Sequence, residues 1–148
     1  MLSKVSLTTN VFDEMGEIWV EIADKNQTEL QVAFLKSQLK PDGYILDLGC
    51  GSGRHLIPMA AAGYGIIGLD GSLRLLRIAK KRNGDVELVR GDVRFLPFRE
   101  EAFKAAISMD TSFGYLPSEK DDVQSLREVC RVMGKTGFFF FILNAVGA

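Results

Sequence analysis

The most constraining feature of this sequence is a glycine-rich loop between a predicted strand and a predicted helix. The apolar run Tyr44–Leu48 contains the acid Asp47, and it is followed by Gly49, Gly51 and Gly53. Glycines at such a junction allow a sharp turn and let the backbone approach a ligand without a Cβ clash. The free N–H groups of the next helix favour a bound carboxylate or phosphate. A tight turn that binds nothing is the alternative, but three glycines after an acid are more than a turn requires.

Apolar runs alternate with helical patterns along the rest of the chain. The predicted strands are Tyr44–Leu48, Gly65–Asp70, Val86–Arg90, Phe103–Met109 and Phe138–Leu143. The predicted helices are Thr28–Leu39, Arg54–Ala62, a helix capped by Ser72 that runs to Arg82, and Ser118–Val132, with a weaker helical pattern over Val11–Ile22. Alternating strands and helices favour a parallel sheet with right-handed crossovers. We therefore expect one α/β domain over residues 1–148: a doubly wound, mostly parallel five-stranded sheet with helices on both faces.

Composition and charge exclude several classes of protein. The 148 residues are 47% hydrophobic and 25% charged, which is ordinary for a soluble globular protein. The net charge of −1 lacks the basic excess typical of a nucleic-acid binder. Two separated cysteines, Cys50 and Cys130, and a single histidine, His55, do not suggest a metal site. No apolar run is long enough for a membrane span or a secretory signal, so a cytoplasmic location is expected.

The spacing of the glycines separates two classes of nucleotide cofactor. The dinucleotide fingerprint needs a third glycine three residues after the second, and Arg54 occupies that position. An acid, Asp70, ends the second predicted strand at about the ~20-residue offset from which a carboxylate binds ribose hydroxyls. Alternatively, Asp70 could be an acid at the N-terminus of the helix that begins after Gly71 and Ser72. Asp70 supports a ribose but does not distinguish the two classes.

A further motif follows the third strand. Gly91-Asp92-Val93 and Leu96-Pro97-Phe98, taken together with the glycine loop, resemble the class I (Rossmann-like) S-adenosylmethionine-dependent methyltransferases. The resemblance extends from Asp42 to about Leu143, and it implies a Rossmann-like core over 41–143 preceded by a helical segment over 1–40. It also implies S-adenosyl-L-methionine as the cofactor.

The resemblance assigns roles to individual residues. Asp47 would lie near the methionine amino group, Asp70 would bind the ribose hydroxyls, and Asp92 with the Val93 N–H would bind the adenine. The implied cofactor-binding residues are Asp47, Gly49, Gly51, Gly53, Asp70, Gly71, Ser72, Asp92, Val93 and Met109. The implied contacts to the sulfonium or the methyl acceptor are Trp19, Arg54, Asp110, Thr111 and Tyr115. Arg54 could instead form a surface ion pair, and the aromatic residues, with Phe12, could simply pack in the core or a lid.

Three functions remain open at this point. The first is methyl transfer to a small-molecule acceptor by in-line displacement, in which the protein mainly positions the reactants and no residue, His55 included, stands out as a general base. The second is a non-catalytic S-adenosylmethionine-binding module or partner subunit. The third, a nicotinamide-dependent oxidoreductase domain, is disfavoured by Arg54 and Asp92.

The C-terminal strand carries an expectation about assembly. Members of the family continue beyond this strand with a helix and two more strands, so the chain is expected to be a natural short form, a fragment or half of an assembly. Phe138–Leu143 contains neither Lys nor Pro, the usual protections of an exposed strand edge. We therefore expect a homodimer, or a complex with another chain, that covers this strand.

Overall fold

The computed structural model describes residues 25–109 and 116–141. Its five strands form one sheet in the order β3-β2-β1-β4-β5, and each neighbouring pair is parallel. The strands are β1 (Tyr44–Leu48), β2 (Gly65–Asp70), β3 (Glu87–Arg90), β4 (Ala105–Ser108) and β5 (Phe138–Phe141). The helices are α1 (Lys25–Gln38), α2 (Leu56–Ala61), α3 (Leu73–Arg82) and α4 (Glu119–Met133). The predicted helix over Val11–Ile22 lies outside the described residues.

Helices cover both faces of the sheet. Side chains alternate along each strand, so Ile45 and Ile107 join the cluster made with α1, α2 and α3, while Leu46 and Ala106 join the cluster made with α4. The chain order places β1 at the centre, flanked by β2 and β4. The predicted doubly wound α/β fold is confirmed, and within the described residues all the strand pairs are parallel.

The predicted Ser72 cap is observed, and Ser118, predicted as the first residue of its helix, is also an N-cap. The Ser72 hydroxyl accepts a hydrogen bond from the Leu75 N–H at 3.2 Å, and the Ser118 hydroxyl accepts one from the Asp121 N–H at 3.3 Å. Both serines satisfy N–H groups that a helix leaves without an intrahelical partner.

Several predicted boundaries were wrong by one to three residues. The helix expected from Arg54 begins at Leu56, because the Gly53 N–H donates to the Cys50 carbonyl and prolongs the loop through a tight turn. The strand expected from Phe103 begins at Ala105, because the Phe103 N–H donates to the Val132 carbonyl at the end of α4. A local turn in the first case, and a contact with α4 in the second, use backbone groups that the sequence pattern assigned to regular structure. The last two residues predicted for β5 lie outside the described residues.

No helix in the described ranges is both long and apolar enough to cross a lipid bilayer.

Candidate functional site

The glycine loop at the carboxyl end of β1 is held against the end of β2. Gly49, Gly51 and Gly53 have φ angles of 68°, 54° and 84°, in the left-handed region that favours glycine. The N–H groups of Gly49 and Cys50 both donate to the Leu69 carbonyl, at 2.8 and 3.0 Å. The conformation therefore requires the three glycines, and it places the loop where ligands bind in doubly wound sheets.

Asp70 ties the loop to the start of α3. One oxygen of its carboxylate accepts from the Gly51 N–H at 2.8 Å, and the other accepts from the Ser72 N–H at 2.8 Å. The neighbouring Gly71 carbonyl accepts from the Arg90 Nε at 3.2 Å. Both oxygens of the Asp70 carboxylate thus accept from backbone N–H groups beside the loop. The structure gives Asp70 a role in shaping the loop that the sequence did not reveal.

Asp47 lies below the loop, in the central strand. Its side chain is 2% exposed, and in the register of the sheet it stands between Gly68 of β2 and Ile107 of β4. A buried carboxylate is costly unless polar groups compensate it. Asp47 lies at the centre of the sheet, two residues before Gly49. Its carboxylate is therefore close to the glycine loop.

The loop is also packed tightly against β2 from the side. The Cys50 thiol is buried, and burial, with the charges of Asp47 and Asp70, raises its pKa, so this cysteine is inert at neutral pH. A Cβ placed on Gly68 would lie 2.7 Å from the Cys50 Sγ and 2.8 Å from a Leu56 methyl carbon. Gly68 is therefore a residue of the site that the sequence motifs did not predict. Because it has no Cβ, the loop can pack closely against β2.

Asp92 follows β3 and is bound by Arg94. The Arg94 Nη2 lies 2.6 Å from the Asp92 Oδ2, and its Nε lies 3.1 Å from Oδ1. Partial burial opposes ionisation of Asp92, but the hydrogen bonds and charge of Arg94 outweigh it, so the pKa of this carboxyl lies below its ordinary value. Arg94 also reaches Asp121 at 3.2 Å. Val93 is half-buried against the α4-side core.

The segment after Val93 is fixed to α4. The Leu96 N–H donates to the Glu128 carboxylate at 2.8 Å, and Arg131 donates to the carbonyls of Leu96 and Phe98 at 3.0 and 2.8 Å. Three hydrogen bonds thus fix the Leu96–Phe98 segment to α4. Its anchors, Glu128 and Arg131, carry no motif and were not predicted.

The two residues after the loop bind α1. The Arg54 Nη1 donates to the Thr28 hydroxyl at 2.7 Å, and the His55 Nε2 lies 2.6 Å from the Gln31 Oε1. His55 is 3% exposed; burial, and then the charge of Arg54, lowers its pKa to about 3. The Arg54 guanidinium binds the Thr28 hydroxyl, and its predicted contact with the sulfonium or the methyl acceptor stays a prediction. His55 is neutral and faces a glutamine.

Met109, at the end of β4, borders a pocket. The residue is 4% exposed, and the pocket has a volume of about 500 Å³. The pocket is lined by Gln27, Leu30, Gln31, Phe34, Met109, Phe139, Phe140 and Phe141. Of the other predicted sulfonium or acceptor contacts, Trp19, Asp110, Thr111 and Tyr115 lie outside the described residues, as does Phe12.

No grouping of three potential metal ligands (His, Cys, Asp or Glu) occurs in the part of the chain that the structure describes. Carboxylates, backbone N–H groups and glycines dominate the site instead. This set suits an organic ligand with hydroxyl and amino groups.

Comparison with known proteins agrees with this geometry. Residues 45–137 match the family model described as a methyltransferase domain. An uncharacterized protein of Methanocaldococcus jannaschii is 36% identical over 107 residues, which are 72% of this chain and 39% of that protein. The demethylmenaquinone methyltransferase of Renibacterium salmoninarum is 35% identical over 92 residues, 62% of this chain and 37% of the enzyme. This chain therefore spans about two fifths of the length of these relatives.

A solved structure supports the same assignment. The crystal structure of the PH0226 protein from Pyrococcus horikoshii OT3 superposes with a TM-score of 0.71 at 26% identity, over 85% of this chain and 58% of that one. The family model, the fold and the loop geometry agree: the chain belongs to the class I S-adenosylmethionine-dependent methyltransferase family.

Proposed function

We propose that this domain binds S-adenosylmethionine across the carboxyl ends of β1, β2 and β3 and transfers its methyl group to a small-molecule acceptor. The observation that carries the proposal is the left-handed glycine loop, Gly49–Gly53, bonded to the carboxylate of Asp70. The chain spans about two fifths of the length of the two relatives described above, so its activity and its acceptor are both part of the proposal.

The residues present fit the proposed cofactor. Asp70 is proposed for the ribose hydroxyls, and Asp47 supplies a buried carboxylate proposed for the methionine amino group. Among the described residues, a Cβ on Gly51 would come within 4 Å only of a Leu75 methyl carbon, at 3.8 Å. Asp92 and the Val93 N–H are proposed for the adenine. An adenine ring bound to Asp92 would share the carboxylate of that residue with Arg94.

The chemistry asks mainly for positioning. The sulfonium supplies an already activated methyl group, so the task of the protein is to hold donor and acceptor in line, about 3–3.5 Å apart. The rigid loop, the fixed Leu96–Phe98 segment and the pocket beside Met109 are suited to that task. We assign no proton transfer to His55, because it is buried, neutral and bonded to Gln31.

Calorimetry tests the cofactor. S-adenosylmethionine and S-adenosylhomocysteine are expected to bind, and NAD to bind far more weakly, because Arg54 replaces the glycine that a dinucleotide requires. Equal affinity for NAD would contradict the assignment. Transfer of a labelled methyl group to a panel of small molecules then separates an enzyme from a module that only retains the cofactor.

We also retain the homodimer as a proposal. Phe138 and Phe141 of β5 are 64% and 49% exposed, and β5 is the outermost strand of the described sheet. An apolar strand at a sheet edge invites pairing with another chain. Sedimentation at micromolar concentration measures the assembly directly.

A further inference from the structure

The pocket between α1 and the end of β5 has the size and walls of a small-molecule site. Its volume of about 500 Å³ falls within the roughly 300–1,000 Å³ of such sites. Leu30 and Phe34 contribute from α1, and Phe34 meets Phe140 edge to face, with their ring centroids 6.0 Å apart. Aromatic and aliphatic walls of this kind favour a flat, apolar molecule.

The polar groups on the wall are two glutamines, Gln27 and Gln31. The Gln31 amide oxygen lies 2.6 Å from the His55 Nε2. An amide oxygen can only accept, so the imidazole Nε2 carries the proton and donates it. This bond fixes the orientation of the Gln31 amide, and it leaves the N–H₂ end of the same group as a donor for the pocket.

His55 is suited to hold the Gln31 amide in one orientation. It is 3% exposed, and its low pKa keeps the ring neutral, so the bond does not change over the physiological pH range. His55 follows Arg54 and the glycine loop in the sequence. Arg54 donates a hydrogen bond to Thr28 of α1, the helix that also carries Gln31. The orientation of Gln31 is therefore set by a residue that lies two positions after the glycine loop.

The pocket also lies at the correct end of the sheet. Asp47 of β1 stands opposite Ile107 of β4, and Met109, two residues further along, lines the pocket. A molecule in the pocket would thus lie beyond the carboxyl end of β4, next to the loop that follows β1.

We propose that this pocket receives the methyl acceptor, that the acceptor is a flat apolar molecule with an oxygen or nitrogen hydrogen-bond acceptor, and that the Gln31 amide donates to that atom. Its identification as the methyl acceptor rests on the proposed function. Gln31 is then a residue that determines specificity, and His55 is a positioning residue that acts through it.

Two probes that differ by one carbonyl test the donor. Equilibrium dialysis compares 2-acetylnaphthalene with 2-ethylnaphthalene on the whole chain with saturating S-adenosylhomocysteine, whose own binding is first measured by calorimetry. One neutral hydrogen bond is worth about 0.5–1.5 kcal/mol, so the ketone should bind about 2- to 13-fold more tightly. Gln31→Glu keeps an acceptor for His55 but removes the donor, and the preference should fall to about one. Gln27→Glu, the matched control on the same wall, should keep it.

The outcomes separate the two proposals. Absence of S-adenosylhomocysteine binding overturns the proposed function, and the probes are then compared without it. The pocket assignment is overturned if neither probe binds. It is also overturned if the unchanged protein shows no preference for the ketone, or if the preference survives Gln31→Glu. Gln31→Leu, checked for folding by circular dichroism, should also abolish the preference and serves if Gln31→Glu does not fold.

The role of His55 has its own readout. The chain contains a single histidine, so its imidazole nitrogens give a unique signal set in ¹⁵N spectra. The Nε2-protonated tautomer is expected in the unchanged protein, with a shift of the Nε2 resonance when the ketone binds. The Nδ1-protonated tautomer would overturn the orientation assigned to Gln31.

Discussion

The glycine loop and the α1–β5 pocket are built by different means. Backbone N–H and carbonyl groups shape the loop, through the bonds of Gly49 and Cys50 to Leu69 and of Gly51 to Asp70. Side chains shape the pocket, whose walls are mainly aliphatic and aromatic. A site made of backbone tolerates few substitutions, whereas walls made of side chains can change without loss of the fold. This difference fits the roles proposed for the two regions, cofactor binding by the loop and acceptor binding by the pocket.

The two regions are joined at one point. Arg54 and His55 follow the loop directly, and they bond to Thr28 and Gln31 on the helix that lines the pocket. Substitutions in the loop should therefore affect both regions, and substitutions in the outer pocket wall should affect only one.

Gly68→Val is expected to have the largest effect. Its Cβ would overlap the Cys50 Sγ, at 2.7 Å, and a Leu56 methyl carbon, so the loop must move away from β2. Overpacking of this kind costs about 1–3 kcal/mol, and we expect the upper end, because the clash involves a buried loop. Urea unfolding measures the loss, and S-adenosylhomocysteine binding should be lost with it. Gly84→Ala is the control, since a Cβ there meets no atom within 4 Å; equal losses in both variants would contradict the packing explanation.

Asp70→Ala should weaken cofactor binding by about 1–3 kcal/mol. The carboxylate makes charge-assisted hydrogen bonds to the Gly51 and Ser72 N–H groups, and its removal releases the loop as well as the proposed ribose contact. Calorimetry with S-adenosylhomocysteine gives the change. Asp85→Ala, at an exposed acid, should leave the affinity unaltered. An Asp70→Ala affinity within twofold of the unchanged protein would remove Asp70 from the site.

His55 should make the free energy of unfolding depend on pH, with no effect at neutral pH and a growing loss in acid. Its pKa is about 3 in the folded state and near 6.5 when unfolded, so between these values the unfolded chain binds more protons. Stability from the neutral ring is therefore full above about pH 6.5 and falls as the pH drops towards 3, by at most ~1.4 kcal/mol per pH unit. His55→Gln should lack this component, which the difference between the two unfolding curves against pH isolates. Parallel curves would show that His55 titrates normally.

Phe138→Lys should have the smallest effect on folding and a specific effect on assembly. The residue is 64% exposed, so the free energy of unfolding should change by no more than about 0.5 kcal/mol. If β5 pairs with another chain, the charge should lower the sedimentation coefficient. Phe95→Lys, at a residue 66% exposed elsewhere, is the matched control. An unchanged protein that sediments as a monomer would contradict the homodimer proposal.

The structure also changes which residues of β5 are suitable for that test. Phe139 packs against the α4-side core and Phe140 against the α1-side core, so a lysine at either would disturb folding as well as any interface. The apolar run alone did not separate these two from Phe138 and Phe141. The separation follows from which side of the sheet each residue faces and from how far each helix extends over it.

The sequence by itself determined the α/β fold, the positions of the strands to within a few residues, the Ser72 cap and the glycine loop. These features depend on neighbours in the chain: side-chain alternation, a cap three residues from its N–H, and a φ angle that favours glycine. Only the tertiary structure decided that His55 binds Gln31, that Arg94 reaches Asp121, and that Asp70, predicted to bind ribose hydroxyls, also binds the Gly51 N–H of the loop. Such pairs join residues that lie far apart in the chain or at the ends of different strands. Their formation depends on how packed elements orient side chains, and no local pattern records that.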